Sequence, residues 1–149
     1  MRRYTIYYDD SKQGAEYKNK LSGEVIDFFN TIDWKQTLQD YNNAENKEDY
    51  YSVDFTVEYK DTFDLEYSFD VEFYFDENEN ALETNSFKFD LSYWYQENKT
   101  KKILFGLLGE KQVLKNESVY SIEHDLDFTL KCLNAFLRND HDFLINNLK

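Results

Sequence analysis

The chain contains no proline, four glycines, one cysteine, one methionine and two histidines in 149 residues. Each shortage excludes something. Without proline and with little glycine, tight turns must be built from Asn, Asp and Lys. One cysteine cannot close an internal disulfide and fits a reducing compartment. Two histidines and one cysteine, at no recognisable ligand spacing, leave no zinc motif and no Cys–His nucleophile pair. His124 (in Glu123-His-Asp125) and His141 (in Asp140-His-Asp142) therefore read as solvent-side histidines flanked by acids near helix ends, and Cys132 as a small semi-buried thiol in a helix. No apolar run is long enough to span a bilayer, and Met1–Asp10 lacks the apolar core of a secretion signal, so the expected location is the cytoplasm, that of a host cell if the chain is phage-encoded. Gly106-Leu-Leu-Gly109 is neither a P-loop nor a dinucleotide fingerprint, and no Gly-x-Ser-x-Gly elbow is present. Asp76-Glu-Asn78-Glu-Asn80 opens like a calcium loop, but Ala81 stands where that loop needs glycine and Phe87 where it needs a bidentate glutamate. Neither a metal nor another cofactor is expected, and the chain reads as non-enzymatic.

What the chain has in abundance is aromatic residues (13 Tyr, 13 Phe, 2 Trp) and acid, with 30 Asp/Glu against 17 Lys/Arg. The acid is concentrated. Residues 1–44 carry a net charge of −1, residues 45–97 carry −13, and residues 98–149 carry +1. A block of this kind repels nucleic acid and attracts basic partners.

The same block has a period of two. Tyr51, Val53, Phe55, Val57 and Tyr59 alternate with Ser52, Asp54, Thr56 and Glu58. Phe63 to Phe75 continues with apolar residues on odd numbers, against Asp64, Glu66, Ser68, Asp70, Glu72 and Asp76. Phe87 to Tyr95 repeats the pattern, with Ser86, Lys88, Asp90, Ser92 and Trp94 on even numbers. Sustained alternation with aromatic and β-branched residues predicts three half-buried strands sharing one phase. Keeping odd opposite odd requires an odd-length loop near Lys60–Thr62, with Val57 facing Leu65, Phe55 facing Tyr67, Val53 facing Phe69 and Glu58 facing Asp64. Glu72 falls opposite Asp90 if Phe75 pairs with Phe87.

Around this meander, Arg3–Tyr8 reads as a strand and 12–31 as helical on the spacing of Tyr17, Leu21, Val25, Phe28 and Ile32, with Ser22-Gly23 as an alternative helix start. Asp33 caps a helix presenting Trp34, Leu38 and Tyr41. Ile103–Leu108 reads as a buried strand with Lys111–Lys115 as partner. Ser118 or Ser121 is expected to cap a helix with Val119, Ile122, Leu126, Leu130, Leu133 and Leu137 on one stripe, broken at Asn139-Asp140 before a short terminal helix. The whole is a single α+β domain over 1–149: an antiparallel meander of about four to six strands, with helices on its aromatic face.

Function is then sought on the other face. Asp54, Glu58, Asp64, Glu66, Asp70, Glu72, Asp76 and Asp90 are expected to emerge together there as a partner-binding surface, with Trp94 as an aromatic anchor. Stacking of single-stranded bases on the aromatic strands is excluded, because the charges around the rings are acidic. In general character, acidic, single-domain and without catalytic signature, the chain resembles phage inhibitors of host defence nucleases such as anti-CRISPR and anti-restriction proteins. That resemblance is one of composition and covers no aligned residues. It implies a basic protein partner, a nucleic-acid-processing enzyme, with no direct nucleic-acid or membrane binding. An immunity protein or antitoxin against a basic nuclease toxin is the first alternative. A small carboxylate- or metal-dependent enzyme and a structural accessory protein follow.

Overall fold

The computed structural model describes residues 1–50, 52–102 and 109–149. The expected strand at Ile103–Leu108 and the inward position of Tyr51 lie outside the described residues.

Six strands form one antiparallel sheet in the order β2-β1-β3-β4-β5-β6. They are β1 (Tyr4–Asp9), β2 (Gly14–Lys20), β3 (Ser52–Lys60), β4 (Glu66–Tyr74), β5 (Phe89–Lys102) and β6 (Glu110–His124). Helices α1 (Ser22–Thr31) and α2 (Trp34–Asn43) lie between β2 and β3. A single-turn α3 (Ala81–Thr84) lies between β4 and β5, and α4 (Leu126–Arg138) and α5 (His141–Asn147) close the chain. The architecture is α+β, as the alternation implied, with helices on the aromatic face.

Odd-numbered residues of β3, β4 and β5 build the core. Val53, Phe55, Val57, Phe69, Val71, Phe73, Leu91 and Tyr93 are fully buried against Val25, Phe29, Leu38, Leu133, Phe136 and Leu144 of the helices. Rings interlock in edge and tilted contacts: Phe29 meets Phe55 at 5.0 Å, and Trp34 meets Phe89 at 5.0 Å and Phe73 at 5.3 Å. Such pairs add roughly 0.5–1.5 kcal/mol each beyond the area they bury.

Four local expectations are corrected. Lys111–Lys115, expected to partner Ile103–Leu108, lies in β6 and pairs with Glu97–Lys101 of β5. Residues 14–20 form β2, not the first half of a helix. Asp9 Oδ1 accepts from the Ser11 amide at 2.9 Å and Asp10 Oδ1 from those of Lys12 and Gln13 at 3.0 and 2.9 Å, turning the chain back so that Tyr17 pairs with Ile6. The helix begins only at Ser22, where Glu24 Oε2 accepts from the Leu21 amide at 2.7 Å.

The β3–β4 register differs from expectation by four residues. Phase is kept, but Val57 faces Phe69, Phe55 faces Val71 and Val53 faces Phe73. Asp61 is the cause. Its Oδ1 accepts from the amides of Phe63 and Leu65 at 2.8 and 3.0 Å, closing a five-residue loop in which Phe63 is 79% exposed.

The last helix starts at Leu126, not at Ser118 or Ser121. Asp125 is the cap, accepting from the Phe128 amide at 2.7 Å, and Val119 and Ile122 belong to β6. Asn139, at φ 66°, ends α4 by donating to the carbonyls of Ala135 and Phe136.

Candidate functional site: the polar face of the sheet

Strand pairing arranges the outward residues in rows. In the first, Asp9 of β1 faces Asp54 of β3, Asp54 faces Glu72 of β4, and Glu72 faces Asp90 of β5. Four carboxylates on four adjacent strands thus lie side by side over about 14 Å, at ~4.8 Å per strand. The second row reads Tyr7, Thr56, Asp70, Ser92, Tyr120, and the third Thr5, Glu58, Ser68, Trp94, Ser118. Lys60 faces Glu66 in the fourth.

Like charges directly opposite one another are destabilising, so the partners of these acids matter. Ser52 Oγ donates to Asp54 at 3.0 Å, and Ser68 and Ser92 donate to the two oxygens of Asp70 at 3.0 and 2.9 Å. The Tyr74 hydroxyl donates to Glu72. Asp90 accepts from the Tyr120 hydroxyl at 2.9 Å and the Glu123 amide at 3.0 Å. These donors are neutral. They fill lone pairs and leave the charge in place. Among the described residues the only ion pair formed by an acid of these rows is Lys60 with Glu66, at 2.6 Å.

The electrostatic consequence is visible in the acids themselves. Partial burial, then repulsion from Glu72, Asp9 and Asp70, raises the Asp54 carboxyl above its ordinary range against the help of Ser52. Glu58 is raised first by desolvation, then by Asp70 and Glu66, with the Tyr7 hydroxyl and Lys60 acting the other way. The Tyr120 phenol, bonded to Asp90, is pushed up to about 12.

Seven of the nine residues singled out in the sequence share this face: Asp54, Glu58, Glu66, Asp70, Glu72, Asp90 and Trp94. Two do not. Asp64 sits in the β3–β4 loop at φ 60°, because β4 starts only at Glu66, and Glu58 consequently faces Ser68. Asp76 opens a 3-10 turn after β4 and accepts from the Tyr41 hydroxyl of α2 at 2.9 Å, at the edge of the helical layer. Asp90 is on the face but only 4% exposed, with Tyr120 and Glu123 occupying both its oxygens. Asp9 was missed as a member of the row, since its Asp-Asp-Ser context reads as a turn. Its parity with Thr5 and Tyr7 was the available signal.

Two of the clefts on the face, of about 400 and about 530 Å³, are both lined by Glu58, Glu66, Ser68 and Trp94. The first extends towards Tyr7 and Arg3, the second towards Asp70 and Tyr120.

The remaining reactive side chains sit elsewhere. Cys132 is fully buried in α4, and burial pushes its thiol up to about 12. His141 Nδ1 is hydrogen-bonded with the Tyr93 hydroxyl and its ring stacks on Tyr67 at 4.9 Å, in the aromatic layer. His124 stacks on Phe128 at 4.3 Å and bonds Ser121 Oγ at 2.8 Å. In the segment that opens like a calcium loop, Asn78 is buried and pins the β4–β5 connection through the Lys88 amide (2.6 Å) and the carbonyls of Tyr74 and Lys88 (2.9 Å each). Among the described residues no group of three or more His, Cys, Asp or Glu side chains is arranged to hold a metal ion, and no helix is long and apolar enough to cross a membrane.

No family model matches the chain, and comparison with curated proteins and with solved structures finds no match either.

Proposed function

We propose that this protein is a non-enzymatic inhibitor, of the phage anti-defence type, that docks the polar face of its sheet on a basic nucleic-acid-binding surface of a nuclease. The observation carrying this reading is the set of acids on the face opposite the helices, of which only Glu66 is paired with a cation among the described residues. Asp9, Asp54, Glu58, Glu66, Asp70 and Glu72 project from three adjacent strands. From Asp54 to Lys60 the face runs six residues, or about 20 Å at ~3.3 Å per residue. One strand of a duplex places a phosphate every ~3.4 Å, so about six over that length. With Lys60 subtracted, the face carries a net five negative charges over that length, a little below the linear charge density of a single strand. A channel lined with Lys and Arg would accept it in place of single-stranded or hybrid nucleic acid.

Affinity capture from a host lysate at low and high salt tests this. A basic nuclease should be retained at low salt and displaced by added nucleic acid. The quadruple variant Glu58→Lys, Glu66→Lys, Asp70→Lys, Glu72→Lys, checked for an unchanged circular dichroism spectrum, should lose it. Unchanged capture by that variant would remove the sheet face from consideration. Whether the captured enzyme is a defence nuclease or a secreted toxin separates the anti-defence role from that of an immunity protein.

A further inference from the structure

Within the third row one position differs from its surroundings. Ser68, small and only 8% exposed, is ringed on the polar face by four larger side chains. Glu58 faces it from β3 and Trp94 from β5. Glu66 and Asp70 flank it along β4, two residues to either side, about 7 Å away. The serine is the floor of a depression whose walls are three carboxylates and an indole. The clefts of about 400 and about 530 Å³ both include Ser68, Glu58, Glu66 and Trp94, so the depression is where they meet.

We propose that this depression is a slot for a guanidinium group, filled by one arginine side chain of the basic partner. The proposal rests on the docking reading above and names its anchor. A guanidinium is planar, delocalised and weakly hydrated. It can lie against an indole face while its N–H fork reaches carboxylates in its own plane. The acceptors are available. Lys60 takes Glu66 at 2.6 Å on the rim, and Glu58, which has the Tyr7 hydroxyl as donor and feels Lys60 at longer range, and Asp70 form no close ion pair of their own among the described residues. Asp70 receives one hydroxyl on each oxygen, from Ser68 and Ser92, and a carboxylate has about four acceptor sites, so about half remain. With Lys60 counted, Glu58, Glu66 and Asp70 carry a surplus of two negative charges; Arg3 and Lys18, with Glu16, line only the first cleft, so the surplus lies towards the second. A lysine ammonium would find the charge but not the plane: it is a compact, strongly hydrated point charge that gains less from the indole.

Capped tetra-arginine and tetra-lysine peptides, titrated separately while the indole N–H signals are followed by NMR, provide the test. Trp34 is 5% exposed in the core and serves as the internal reference for Trp94. Tetra-arginine should shift the Trp94 signal and bind roughly five- to tenfold more tightly than tetra-lysine, the scale of one cation–π contact with partial desolvation. With affinities read from the backbone amide signals of the sheet, Trp94→Ala should lower that preference and Trp94→Phe should keep more of it, with both variants retaining the wild-type backbone spectrum before peptide is added. Equal affinity of the two peptides, unaffected by Trp94→Ala, overturns the slot and leaves the acidic docking face standing. Binding of neither peptide overturns the slot and also counts against the face as a surface for basic segments.

Discussion

Asp54 has an acid on each side, Asp9 on β1 and Glu72 on β4, and one serine hydroxyl as its donor. Its carboxyl is raised in the folded chain, by burial first and by those acids next. The unfolded carboxyl titrates near ~3.9. A folded value above the unfolded one means that the charged form is penalised by folding. The penalty is fully present above the folded value and fades as pH falls through it. Asp54→Asn keeps an acceptor for Ser52 and removes two like-charge contacts of roughly 0.2–1 kcal/mol each. At pH 7 the variant should therefore unfold a few degrees above the wild type, with the gain shrinking towards pH 4. His124 and His141, both lowered chiefly by burial, destabilise the fold on acidification, but they do so equally in both proteins and cancel in the comparison. Thermal scans at pH 7 and 4 decide the matter. No gain at pH 7, or one that grows on acidification, would contradict the account of the row.

Three helices begin on an aspartate whose side chain accepts from the amide three residues on: Asp33 to Gln36, Asp125 to Phe128 and Asp140 to Phe143, at 2.9, 2.7 and 3.1 Å. Asp125→Ala should cost about 1 kcal/mol, read as a lower urea midpoint at unchanged slope. A loss below a few tenths would mean that packing alone positions α4. These caps also show what the sequence made legible. Asp33 was readable because the apolar stripe begins directly after it. Asp125 was hidden, because Val119 and Ile122 fall by chance on the helical spacing of Leu126 and Leu130 although they lie in β6. Tyr17 misled in the same way: it meets Phe28 at 4.9 Å from a strand, where a helix had been expected to place it on the core. In β3–β4, periodicity determined which side chains face each other's face but not the loop length. Any even shift preserves parity, and the hydrogen bonds of Asp61 choose among the even shifts.

At the scale of the molecule, the alternation was enough to place six of the eight expected carboxylates on one surface, all but Asp64 and Asp76, and Glu72 does lie opposite Asp90. The continuous row was not legible, because it needs β1 inserted between β2 and β3, and pairing order across a two-helix connection leaves no local trace. That row carries a consequence for the whole fold. Neutral donors hold its acids, so their mutual repulsion is limited only by solvent and salt. The Debye length falls from about 30 Å at 0.01 M to about 8 Å at 0.15 M, passing the ~14 Å width of the row. Added sodium chloride should therefore stabilise the protein over this range. The opposing term is the set of ion pairs on the β5–β6 ribbon and elsewhere, such as Lys99 with Glu97 and Glu117, which are exposed and contribute little. The unfolding temperature should rise with salt at constant pH 7, and the rise should be smaller in a variant combining Asp54→Asn with Glu72→Gln. Acids acting only through net charge would give both proteins nearly the same salt response, since the variant still carries most of a net charge of −13. A fall in unfolding temperature with salt would mean that attraction, not repulsion, dominates the surface, and that the row is balanced by cations.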